Sequence, residues 1–126
     1  MAEIPKAEEL RIEERRKGAI LSLSIKDKAV LYTAYMSFLK EGGLFIPTKR
    51  AFSMGEHVTM LLTLMDEQES FTVHCSVVWL TPEGAQGNRA QGVGLQFMGE
   101  EGKELRNKIE TYLAGTLKSE KPTHTL

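Results

Sequence analysis

The chain is poor in cysteine, with Cys75 alone, so no disulfide can close within it and a reducing compartment suits it. It has no apolar run near the length of a membrane span, which excludes a helical membrane anchor. It also has no excess of one charge. Sixteen lysines and arginines face seventeen acidic residues, for a formal net charge of −1. That balance excludes broad electrostatic capture of nucleic acid or of an anionic membrane surface. The opening "MAEIPKAEELRIEERR" is too charged for a signal peptide. These absences lead us to expect a cytoplasmic, soluble protein, and 126 residues suffice for one domain with its own core.

What is present divides the chain into three stretches. Residues 1–17 form a mixed-charge arm in which Leu10 and Ile12 are almost the only large apolar groups after Ile4. Pro5 could open a short helix there, but with no apolar stripe to bury we expect the arm to be loosely held. Residues 18–115 carry the domain. "AILSLSIKDKAVLYTAYM" alternates apolar and polar groups, which predicts half-buried strand, with "KDK" as a bulge or tight turn that gives either two short strands or one long bent one. "LFIPT" predicts a strand that Pro47 stops or confines to an edge. Val58, Met60, Leu62 and Leu64 share one parity, and Phe71, Val73, Cys75, Val77 and Trp79 share another, so two strands form a hairpin across an acidic turn. "VGLQFM" predicts the next strand. Beyond Gly99 the period becomes helical, through Leu105, Ile109, Tyr112 and Leu113, with Gly115 as the C-cap. Residues 116–126 form a polar tail. Short strands followed by one terminal helix predict a closed or nearly closed antiparallel β-barrel with the helix at its end.

The groups that could carry chemistry are few. His57, His74 and His124 share no metal-ligand spacing with one another or with Cys75. Cys75 has the parity of a buried, inert thiol. No carboxylate pair stands in a catalytic context, and "GAQGNRAQG" lacks the lysine of a phosphate-binding loop and precedes a strand. We therefore expect no catalytic residue, no metal, no cofactor and no enzyme. Aromatic residues remain as candidate contacts. Trp79 is either core or, beside Pro82, a protein-binding anchor; Tyr32 is either core with its hydroxyl at the rim or an exposed contact.

"GGLFIPT", "VVWLTPEGAQGNRAQGVGLQF", "RNKIETYLAG" and the closing "KPTHTL" together resemble the PilZ family, most closely its stand-alone type IV pilus assembly subgroup. The resemblance covers nearly all of Gly18 to Leu126 and implies a six-stranded antiparallel β-barrel with a C-terminal helix. Most members receive cyclic di-GMP through an R-x-x-x-R in an N-terminal loop and a [D/N]-x-S-x-x-G opening a strand. Arginine forks grip phosphates and stack on bases, the small polar groups meet base edges, and the glycine lets the backbone approach. Here Gly43 matches the glycine, but Phe38 stands at the Asp/Asn place and Lys40 at the Ser place. Two lost contacts of about 1–3 kcal/mol each weaken binding by several orders of magnitude. Arg11 and Arg15 match R-x-x-x-R, though Glu13 and Glu14 between them oppose an anion.

For this subgroup the resemblance implies a non-catalytic adaptor in twitching motility. It would contact the pilus assembly ATPase and a degenerate GGDEF–EAL signalling protein without holding cyclic di-GMP itself. Tyr32, Trp79, Pro82, Thr116, Leu117, Pro122 and His124 are the expected contacts, the tail docking as a strand or hook. The alternative is a direct cyclic di-GMP receptor using Arg11 and Arg15.

Overall fold

The computed structural model describes residues 9–15, 18–65, 67–84 and 91–114, and of residues 9–15 the backbone alone. Six strands and two helices follow in the order β1 (Glu9–Arg15), β2 (Gly18–Ile25), α1 (Lys28–Ala34), β3 (Gly43–Pro47), β4 (His57–Leu64), β5 (Phe71–Thr81), β6 (Gly92–Phe97) and α2 (Gly99–Tyr112). The strands form one curled sheet in the order β1-β2-β4-β5-β6-β3.

The alternation seen in the sequence sets which face is buried. Val58, Met60, Leu62 and Leu64 of β4 are buried, as are Val73, Cys75 and Val77 of β5, and the two strands pair antiparallel as expected. Leu21, Leu23 and Ile25 of β2 join them. Along α2, Leu105 and Ile109 are four apart and Leu113 follows, so one stripe of the helix reaches the same core. The expected mainly β architecture with a C-terminal helix is what the chain forms.

Three local expectations need correction. The sheet is not wholly antiparallel: β2 and β4 run parallel, Leu21 beside Met60 and Leu23 beside Leu62. A parallel pair needs a long crossover, and here α1 and β3 supply it, β3 crossing to pair with β6. The segment Lys28–Ala34 is a helix and not part of a strand. Asp27, which had suggested a turn, is its N-cap: its side chain accepts the Ala29 amide at 2.7 Å. Leu31, Tyr32 and Ala34 are then all buried, a combination that alternation cannot produce. Finally, the arm contributes β1, paired antiparallel with β2 over seven residues. Leu10 and Ile12 stand opposite Leu23 and Leu21, so the two isolated apolar groups were a period-2 signal.

A candidate protein-contact surface

β5 does not keep its alternation to the end. Its register with β6 shifts between Val77 and Trp79: Val77 stands opposite Leu95, whereas Trp79 stands opposite Gly94. A bulge of this kind re-aims the residue that follows it. Leu95 belongs to the main core, so Val77 faces inward and Trp79 shares the opposite face with Gly94 and, on the far side, with Phe45 of β3. The parity that placed Trp79 with Phe71, Val73 and Cys75 is thereby broken, and the indole leaves the main core.

On that second face the glycines make room. A Cβ on Gly94 would lie 2.6 Å from the Trp79 Cβ and 2.8 Å from the Met36 sulfur; one on Gly92 would lie 2.6 Å from the Phe45 ring. Bare backbone lets these side chains pack directly onto β6. Met36 and Phe45 are fully buried and Trp79 half-buried. The indole Nε1 donates to the Thr81 hydroxyl at 2.8 Å, which satisfies its polar edge within the domain. Phe38 completes the layer. Its ring meets that of Trp79 edge to face, with centroids 5.8 Å apart and planes at 60°, and it remains 43% exposed.

The loop that carries Phe38 is fixed by its own backbone. The Met36 amide donates to the Gly43 carbonyl at 2.8 Å, Leu39 to Met36 at 3.2 Å, and Gly42 to Leu39 at 3.0 Å. Gly42 has φ of +77°, a conformation that favours glycine. Gly43 is needed for a different reason: a Cβ there would fall 2.5 Å from the Leu95 carbonyl oxygen. Gly43 is therefore required by strand packing, and Phe38 and Lys40 both stand exposed in the loop before it.

α2 is clipped to this scaffold at two points. The Tyr35 hydroxyl donates to Glu110 Oε2 at 2.6 Å, and Arg106 Nε donates to the same oxygen at 3.3 Å. Burial first, and then the neighbouring carboxylate, push the Tyr35 phenol well above its ordinary value. At the other end Tyr112 donates to Glu67 Oε2, and Lys108 Nζ lies 3.2 Å from Glu67 Oε1. The Tyr112 hydroxyl and then Lys108 hold the Glu67 carboxyl below its usual range, against desolvation.

Among the residues expected to make contacts, Trp79 is brought together with Phe38, and Pro82 is exposed just past the end of β5. Tyr32 is not part of this surface: at 7% exposure it belongs to the core, because the helix α1 turns it inward beside Leu31. Thr116, Leu117, Pro122 and His124, with Gly115, lie outside the described residues. Arg11 and Arg15 fall on the strand β1, opposite Ser22 and Gly18, and not in a loop; β1 and the loop-bearing β3 are the two ends of the strand order. Cys75 is fully buried, and burial alone raises its thiol to about 12, so it is no nucleophile. Among the described residues no group of three or more His, Cys, Asp or Glu could hold a metal, and no helix is long and apolar enough to cross a membrane. Sequence reasoning passed over Met36, Phe45 and Gly94. The alternate glycines of "GVGLQF" were the available sign that something packs hard against that strand.

The arrangement defines a small curled-sheet domain, clasped by one helix, with Phe38 the one aromatic among the exposed large apolar side chains of the described residues. A model of the PilZ domain matches residues 9–115, and the chain belongs to that family, whose domains serve as receptors and adaptors in cyclic di-GMP signalling and are generally non-catalytic. No curated protein matches it.

Proposed function

We propose that this PilZ domain is an adaptor for type IV pilus biogenesis and twitching motility. It works by contact with the pilus assembly ATPase and with a degenerate GGDEF–EAL signalling protein, and holds no cyclic di-GMP of its own. One observation carries the reading. At the place where a receptor presents a small acid or amide, this chain has the Phe38 ring packed edge to face on Trp79 and 43% exposed. A benzyl group offers no hydrogen bond to a base edge, whereas a partly exposed pair of aromatic rings suits a protein anchor. The stretches "GGLFIPT" and "KPTHTL" support the pilus subgroup in particular.

Isothermal titration calorimetry of the full chain with cyclic di-GMP tests this, and we expect no heat of binding. Micromolar or tighter affinity that Arg11→Ala abolishes would establish the receptor reading in its place. Pull-down from a piliated bacterium should recover the ATPase and the GGDEF–EAL protein, and Phe38→Ala should lose at least one of them.

A further inference from the structure

β1 ends the strand order, so one edge pairs with β2 while no strand among the described residues pairs with the other. An open strand edge is a template for another strand. The register with β2 fixes its two faces. Leu10, Ile12 and Glu14 stand opposite Leu23, Leu21 and Ala19, all buried, and so share the core face. Glu9, Arg11, Glu13 and Arg15 stand opposite Ser24, Ser22, Ile20 and Gly18 on the outer face. Along that outer face the charge alternates strictly: acid, base, acid, base.

We propose that β1 is a self-association edge, pairing antiparallel with β1 of a second copy about a two-fold axis through Ile12. In that register Glu9 of one copy meets Arg15 of the other and Arg11 meets Glu13. The two-fold axis repeats each pair, so the outer face carries only opposite charges across the junction. On the core face Ile12 meets its own copy, and Leu10 stands opposite Glu14.

The neighbouring registers are rejected. A slip of two residues one way sets Glu9 against Glu13 and Arg11 against Arg11; the other way, Arg11 against Arg15 and Glu13 against Glu13. A slip of one residue would place the apolar set of one copy on the charged face of the other. The sequence thus favours one alignment and penalises its neighbours, which is how paired elements acquire specificity. An edge of seven residues is small, so the association is weak and reversible.

Sedimentation velocity of the full chain at about 20–500 µM, a range suited to a small interface, should show monomer–dimer exchange. The exchange should weaken as NaCl rises from about 0.05 to 0.5 M. R11E/R15E makes the outer face wholly acidic and E9R/E13R makes it wholly basic. Each variant alone should associate at least ten-fold more weakly, and an equimolar mixture should recover a heterodimer of about wild-type strength. Wild-type chain that stays monomeric throughout overturns the proposal. So does a dimer that both variants retain, or a mixture that fails to associate while the wild type does. If a variant loses its fold, amide exchange of the wild type decides: alternate β1 amides gain protection as concentration rises, and exchange independent of concentration sinks the idea.

Discussion

Phe38 and Trp79 show how one side chain can be read from its neighbours rather than from its own type. Phe38 meets Trp79 edge to face and keeps 43% of its surface exposed, so its truncation removes less packing than that of a fully buried ring. We expect Phe38→Ala to change stability by about 1 kcal/mol or less while losing partner capture. Trp79→Ala is a different change. It empties the space over Gly94 and takes away the donor that the buried Thr81 hydroxyl accepts. We expect a cost of about 2–3 kcal/mol, part cavity and part unmade hydrogen bond. Urea denaturation of both variants checks the order. Equal losses would mean that the two rings are one structural unit and that Phe38 is not free to serve as a contact. Because Trp79 is the sole tryptophan, its emission reports this surface alone and should shift in Phe38→Ala.

At the scale of elements, α2 stays on the sheet through its apolar stripe and its two polar clips. The Glu67 clip has a defined pH response. Because the folded carboxyl titrates lower than in the unfolded chain, its contribution is fully present above the ordinary glutamate range. The contribution is lost as pH falls through the lower, folded value. Tyr112→Phe removes the largest cause of that depression. We expect the Glu67 carboxyl, followed by NMR, to titrate closer to its ordinary value in the variant, and the stability difference from wild type to vanish in acid. An unchanged Glu67 titration would assign the depression to Lys108 instead. The bulge in β5 acts at this scale too, since one register shift moves every following side chain to the other face.

For the molecule as a whole, Cys75 is the internal reporter. It lies fully buried between β4 and β6, and burial lifts its thiol to about 12. An Ellman-type reagent at mildly alkaline pH should therefore label it only when the sheet opens. The rate should be about a thousand-fold or more below that of the unfolded chain, as expected for a domain of ordinary stability. Rapid labelling without unfolding would mean that the β4–β5–β6 region opens locally.

Alternation along β4 and the first part of β5, the helical spacing of Leu105 and Ile109, and the lone buried thiol were legible in the sequence, because each depends on local period alone. The assignment of Phe38 and Lys40 to the polar-ligand places of the resemblance is a reading of sequence alone, and the folded chain adds only that both are exposed. Other features needed the folded chain. β1 becomes a strand only because β2 offers it an edge, and Lys28–Ala34 becomes a helix because Asp27 caps it and the core receives three of its residues. The parallel pairing of β2 with β4 joins segments more than thirty positions apart in sequence. The place of Trp79 is likewise a tertiary fact: only pairing across three strands shows that it has changed faces, and only the closeness of Met36, Gly94 and Phe38 shows what that face is made of.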